Sequence, residues 1–239
     1  MTQTKLGTLY LIPVTLGDDN LTKVLPPDVV SFVQKLDTFV VENEKSARHF
    51  LSIIKTSKPV RELSLLLLNE HTENKDLPTL IKPLLAGKNI GLMSEAGCPG
   101  IADPGAKLVE LAHSHNIRVV PFVGPSSILL SLMASGLNGQ QFAFLGYLPI
   151  DKSQRNLKLK EIEKRSNTFK ETQLFIETPY RNQHMLEAIL SVSQPNTRLC
   201  IACDISLDSE IIITKTIANW RKSQLPDLHK RPTVFLLLA

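Results

Sequence analysis

The sequence is poor in cysteine, aromatic residues and glycine. Three cysteines in 239 residues cannot staple a chain of this length, which excludes a disulfide scaffold. Eleven glycines and fifteen prolines without a period exclude a collagen-like or low-complexity chain. Aromatic residues make up 5%, so aliphatic side chains, leucine above all, must fill the core. Long hydrophobic runs are missing as well. Residues 119–150 carry no charged side chain, but Pro121, Gly124, Pro125, Gly136 and Gly139 interrupt them, and no apolar helix of about 20 residues fits. The stretch reads instead as strand, turn, buried helix, turn and strand. The N-terminal MTQTKLGTLYLIPV has no basic region ahead of its short apolar run, unlike a secretory signal, so a cytoplasmic protein without a membrane partner is expected. No G-x-G-x-x-G occurs, and the only Gly-Lys pair, Gly87-Lys88, is followed by Asn89. Neither a dinucleotide fingerprint nor a P-loop is present.

What is present describes a folded chain: 43% apolar and 21% charged residues, enough for one large domain or two small ones. The net charge of +4 comes from 27 basic against 23 acidic residues. The surplus sits in the C-terminal half. Residues 151–170 hold Lys152, Arg155, Lys158, Lys160, Lys164, Arg165 and Lys170 against Asp151, Glu161 and Glu163. This stretch is either a solvated helix face or a patch for a phosphate backbone.

Short apolar strands alternate with longer amphipathic segments. Strands are expected at 6–12, 37–42, 63–68 (fully buried), 89–94 and 117–123. Helices are expected at 27–36, 44–55, 74–87 and 103–116, the last started by Asp103 as cap and Pro104 in the first turn. This alternation implies a parallel or mostly parallel sheet covered by helices. Beyond a boundary in VVPFVGPSS, helices at 125–135, 153–166 and 180–192 are mixed with strands at 141–148, 172–178, 198–205, 210–216 and 233–239. The consecutive strands suggest a mixed sheet. The reading is therefore an α/β protein with domains 1–120 and 121–239.

Two loops stand out. SEAGCPGIADPG, 94–105, gathers three glycines, two prolines and two acids between a strand end and a helix start, where open α/β sheets bind ligands. Glu95 is a carboxylate suited to a ribose or an amine. GPSSILLSLMASG, 124–136, opens a helix whose free N–H groups and hydroxyls suit an anion, or serve only as a cap. Cys200-x-x-Cys203 lies in an apolar strand whose positions i and i+3 face opposite ways, so it reads as core, and no metal is expected. Glu70 and His71 follow an apolar strand at its carboxyl end.

SEAGCPGIADPG, RVVPFVGPSS, FLGYLP and LFIETPYR, in this order and spacing, resemble the tetrapyrrole methylase superfamily, the class III S-adenosylmethionine-dependent methyltransferases. The branch most resembled methylates ribose 2′-hydroxyls of small-subunit rRNA. The likeness begins at GTLYLIPVTLGD and covers nearly the whole chain. It implies two α/β domains with S-adenosyl-L-methionine in the cleft between them, and a homodimer. By this resemblance, Pro13 to Leu16, Glu95, Gly97, Cys98 and Pro99, and Ser126 with Ser127 border the cofactor, with Glu95 where the family usually has Asp. Ile176 to Thr178, Ala202, Pro232 and Thr233 form the second domain's share. The rRNA enzymes resemble A-E-D-T-R-x-T after the second strand. This chain has Val41-Glu42-Asn43-Glu44-Lys45-Ser46-Ala47, keeping the Glu and changing most of the rest. Those enzymes also carry a C-terminal extension, whereas this sequence stops on its last expected strand. Glu42, His71, Glu177 and Arg181 are candidates for proton transfer by their position near strand ends. RNA is the expected acceptor, with the basic stretch as its contact. A tetrapyrrole or other small acceptor, and a binding protein without turnover, stay open.

Overall fold

The structure is a computed structural model that describes residues 5–239. The chain forms two compact units, one ending at Ser126 and the other spanning Ser127–Ala239.

The first unit holds strands β1 (Thr8–Leu11), β2 (Thr38–Val41), β3 (Ser64–Leu67), β4 (Ile90–Met93) and β5 (Arg118–Pro121). All pair in parallel, in the order β3-β2-β4-β1-β5. Helices α1 (Leu21–Val24), α2 (Pro27–Val33), α3 (Glu44–Ile54), α4 (Leu77–Leu85) and α5 (Ala106–Ser114) connect them. Successive strand residues serve opposite faces. Phe39 and Val41 join one apolar cluster with Val33, Leu51 and Ile54, while Val40 joins the other with Leu84, Ile90 and Leu108. A sheet covered on both faces is therefore written in near-continuous apolar residues.

Three expectations need correction here. The strand at 63–68 is an edge strand: β3 pairs only with β2, and Leu67 is 46% exposed. Asp103 and Pro104 do not start the helix. Ala102 (φ 64°) and Gly105 (φ 138°) hold that stretch in a turn, and α5 begins at Ala106 with Gly105 in the cap position. The unit boundary falls at the far end of VVPFVGPSS, and residues 121–126 belong to the first unit. Pro121 pairs with Leu11, the Phe122 N–H donates to the Leu11 carbonyl at 3.0 Å, and the Phe122 ring stacks on Tyr10 at 5.5 Å.

The second unit is a mixed sheet of β6 (Phe142–Tyr147), β7 (Thr172–Ile176), β8 (Arg198–Cys203), β9 (Ile211–Thr216) and β10 (Thr233–Leu238), in the order β6-β7-β10-β8-β9. β6 and β7 are parallel, and the other pairs are antiparallel. Every residue of β10 is buried, as befits the central strand. The helices are α6 (Ser127–Ser135), α7 (Lys152–Phe169), α8 (Asn182–Val192) and α9 (Ile217–Trp220). Asp151 caps α7, its carboxylate accepting the Gln154 N–H at 2.9 Å. Phe175, Phe235, Leu186 and Trp220 anchor the core, and Cys200 and Cys203 are buried in β8.

Helix α6 departs from the expected buried helix. Ser131 and Ser135 are buried, whereas Leu129 is 52% and Met133 79% exposed. The two serine hydroxyls are satisfied within the helix, donating to the carbonyls of Ile128 at 2.9 Å and Leu132 at 2.8 Å, so small side chains meet the sheet without orphaned polar groups. Among the described residues, no helix is long and apolar enough to cross a membrane.

Trp220 is the large buried anchor of the second unit. Its indole N–H donates to the Leu199 carbonyl at 2.9 Å. Trp220→Phe removes that donor and part of the ring. The expected cost is about 1–3 kcal/mol, read as a lower denaturation midpoint by circular dichroism.

Candidate active site

In the first sheet the segment after β1 leads to β2, and the segment after β4 leads to β5 on the opposite side. β2 and β4 are neighbours whose following segments lead away to opposite edges, to β3 and to β5, so the point where strand order reverses lies at the carboxyl end of β4. That is where open α/β sheets open a ligand crevice. The loop after β1 meets the loop after β4 there. The Val14 N–H donates to the Gly97 carbonyl at 2.8 Å, and the Gly97 N–H returns to the Val14 carbonyl at 3.0 Å. Gly97 sits at φ 68°, a left-handed conformation that glycine adopts without cost. A side chain there would make only ordinary contacts, with Leu16 and the Pro125 carbonyl, so backbone conformation rather than crowding requires the glycine.

The loop after β5 joins the same end. The Cys98 thiol donates to the Pro125 carbonyl at 3.4 Å. A Cβ on Gly124 would lie 2.3 Å from the Pro13 ring, so this close approach too needs glycine. Pro13, Leu16, Glu95, Gly97, Cys98 and Pro99 thus border one another, with Ser126 closing the β5 loop. Ser127 opens α6 in the second unit.

The acids of this end are unusual. The Glu95 N–H donates to a Glu42 carboxylate oxygen at 3.2 Å, and the Ser46 hydroxyl donates to the Glu95 carboxylate at 3.3 Å. Burial pushes the Glu42 carboxyl above its ordinary pKa, and the charges of Asp103, Glu95 and Glu70 add to the rise although the Glu95 N–H opposes it. Burial raises Asp103 as well, and the Cys98 thiol. Among the described residues none of Glu42, Glu95 and Asp103 is ion-paired. His71 stays outside the group: its side chain is 83% exposed, and among the described residues its imidazole meets only Glu70, at 3.6 Å.

In the second unit the nominated residues converge at one end of the sheet. Ile176 and Ala202 both pair with Val234, the neighbour of Thr233, and Thr233 pairs with Cys203. The Pro232 carbonyl accepts the Asp204 N–H at 2.9 Å. Beside Ile176 and Thr178 lies a buried ion pair, with the Arg181 guanidinium 2.7 Å from the carboxylate of Glu177, whose side chain is 1% exposed. Burial alone would raise Glu177, but the Arg181 bonds and the Thr178 N–H outweigh it and hold the carboxyl below its ordinary value. Glu177 is thus a weak proton acceptor. Arg181 is held charged by the bond to Glu177, so it positions rather than transfers protons.

The basic stretch is thinner than its composition suggests. Arg155 is buried and donates to the Ile150 carbonyl at 3.0 Å. Lys158 pairs with Glu161 at 2.9 Å and Arg165 with Glu171 at 2.8 Å. Lys152, Lys160 and Lys164 remain exposed, without an ion pair among the described residues. Lys160 and Lys164, one turn apart on α7, line a cavity of about 630 Å³ with Asn167, Gln194 and Asn196.

No family model matches the chain. Curated relatives do. The chain is 30% identical over 233 residues to ribosomal RNA small subunit methyltransferase I of Haemophilus influenzae, across 98% of this chain and 78% of that protein. It is 31% identical over 204 residues to the Vibrio cholerae protein of the same name, across 85% and 67%. To that of Buchnera aphidicola subsp. Schizaphis graminum it is 30% identical over 236 residues, across 98% and 79%. The chain belongs to the ribosomal RNA small subunit methyltransferase I family.

It is a methyltransferase. Its fold is that of the solved methyltransferase CobJ, at a TM-score of 0.63 and 16% identity over 97% of this chain and 94% of that one. The resemblance to the rRNA methyltransferase branch is borne out, and so is the expected α/β fold. In this methyltransferase the departing segment 41–47 leads into a helix. Asn43 caps α3, accepting N–H bonds from Lys45 at 2.8 Å and Ser46 at 3.4 Å. Ser46 and Asp103 escaped the sequence reading as site residues. The retained Glu42, with Ser46 four positions later on the start of α3, was the available signal.

The Glu177–Arg181 pair makes a testable claim. Because the folded carboxyl lies below its unfolded value of about 4.5, its contribution to stability is present above that value. The contribution is lost as pH falls through the folded value. Arg181→Ala is expected to destabilise by about 2 kcal/mol at pH 7, a figure reduced for the partial exposure of Arg181. The difference from wild type should shrink steadily in urea titrations below pH 4.5.

Proposed function

We propose that this methyltransferase transfers the methyl group of S-adenosyl-L-methionine to a ribose 2′-hydroxyl of small-subunit ribosomal RNA. The observation that carries the cofactor reading is the charge of the loops at the strand reversal. Glu42, Glu95 and Asp103 stand there without ion-pair partners among the described residues. A nucleotide bearing phosphates is disfavoured by such a group. A cofactor with sulfonium, ammonium and one carboxylate, and hence a net positive charge, fits it. The exposed Glu95 carboxylate suits the ribose hydroxyls, and Pro13 and Leu16 supply apolar wall.

When bound, the cofactor supplies a methyl group already electrophilic on a positive sulfur. What remains for the chain is to hold the acceptor in line, exclude water and accept a proton. Such positioning is worth roughly 7–11 kcal/mol. Of the four candidates, Glu42 is best placed to take the hydroxyl proton. It lies at the end of β2, one oxygen is fixed by the Glu95 N–H, and its raised pKa makes it the stronger base. RNA as acceptor draws support from the names of the relatives and from Lys160 and Lys164 in their cavity, whose charge suits phosphate. In the same reading the protein works in the cytoplasm as a homodimer, for which the exposed apolar side of α6 offers a surface.

Glu42→Gln keeps an oxygen for the Glu95 N–H but cannot accept the proton. The single-turnover rate is expected to fall about 10²-fold or more, and the acid limb of the wild-type pH–rate profile, set above the ordinary carboxylate value, should vanish. Stability at pH 7 should not fall, because a carboxyl with raised pKa is unfavourable when ionised. Glu95→Gln tests the charge argument. Calorimetry should show weaker binding of the cationic cofactor, with a smaller effect on its demethylated product, which lacks the sulfonium charge. Equal losses for the two would remove the electrostatic basis of the reading. Methylation mapping of small-subunit rRNA from cells with and without the gene decides the acceptor.

A further inference from the structure

We infer that Tyr180, with Tyr147 and Arg181 beside it, forms a stacking platform for an unpaired RNA base at the carboxyl ends of β6 and β7. The inference rests on RNA being the acceptor and adds how the chain grips it.

The chain has three tyrosines. Tyr10 is packed between Phe32, at 4.4 Å, and Phe122, at 5.5 Å. The other two are 58% (Tyr147) and 67% (Tyr180) exposed. A single exposed aromatic ring needs no explanation. These two share one end of one parallel strand pair. Tyr147 pairs in register with Ile176, and Tyr180 follows Ile176 by one tight turn.

That turn is rigid. The Arg181 N–H donates to the Thr178 carbonyl at 2.9 Å, Pro179 fixes the backbone inside it, and the Lys230 N–H anchors the Pro179 carbonyl at 3.1 Å. The next side chain, Arg181, is fastened to buried Glu177. The Lys230 ammonium lies 5.8 Å from the centroid of the Tyr180 ring. An exposed ring on a fixed backbone, with an ammonium near its face, loses little freedom when a flat base settles on it. This is how single-stranded nucleic acid is held without a sequence code: aromatic faces for the bases, cations for the backbone.

Fluorescence anisotropy with labelled oligoadenylate and oligouridylate tests the platform, alongside binding of transcribed small-subunit rRNA. The wild type is expected to prefer oligoadenylate, whose bases stack more strongly. Tyr180→Ala should weaken its binding about tenfold without changing the slope of log affinity against log salt, and Tyr180→Phe should bind as the wild type does. Cofactor affinity should be unchanged in both. Reversing Lys160 and Lys164 to Glu should instead lower the salt slope and spare the purine preference. If the wild type binds RNA and Tyr180→Ala binds it equally well, the platform is wrong while the RNA reading stands. If Phe loses as much as Ala, the contact is to the hydroxyl and stacking is overturned. If the wild type binds none of the three RNAs, the RNA reading itself falls and takes the platform with it.

Discussion

Two backbone hydrogen bonds between Val14 and Gly97 organise the candidate site. Parallel strands cannot share a hairpin, so their loops leave in different directions and have no local reason to meet. Here the segments after β1 and β4 lead toward opposite edges of the sheet, each passing the other's strand, and a reciprocal bridge ties them together where they pass. The bridge depends on a left-handed residue at 97, and glycine provides it. Once it is closed, Cys98 reaches the Pro125 carbonyl, the β5 loop packs on Pro13, and Glu95 is set with its N–H against Glu42. The acids are therefore displayed by backbone geometry, and the charges of Asp103 and Glu95 add to the rise that burial gives the Glu42 carboxyl.

The second unit solves a different problem. Its candidate site residues lie on antiparallel strands, where register alone brings Ile176, Val234 and Ala202 into one row. Charge is handled in the opposite way too. The buried carboxylate of Glu177 is neutralised by Arg181, and Asp204 by Arg231 at 2.8 Å. A buried carboxylate that is matched is structural. One that is left unmatched at a loop end is available to chemistry.

Much of this was legible in the sequence because it is written in local rules. Alternation of short apolar runs with amphipathic ones announced the parallel sheet, and consecutive strands announced the mixed one. Glycine and proline between a strand end and a helix marked the loops that do meet. The misreadings share a cause, for each depends on neighbours distant in sequence. Leu63 to Leu68 looks buried until one knows that β3 has a partner on one side only. Asp103-Pro104 has the chemistry of a helix start, but the left-handed Ala102 before it and Gly105 after it delay the helix. Arg155 counted as a surface charge, yet its position on the inner face of α7 buries it. Composition counts charges, and only packing decides which of them face water.

The placement of β10 has a consequence for how the molecule is made. The first sheet is complete once Pro121 has been synthesised, because all five of its strands lie ahead of that point. In the second, β6 with β7 and β8 with β9 can each pair early, but as isolated two-stranded pieces with little stability of their own. They are joined only by Thr233–Leu238, which enters between β7 and β8 after every other strand. The amino-terminal unit can therefore fold while the ribosome is still at work, whereas the carboxyl-terminal unit closes last, as its central strand is drawn in between two waiting halves.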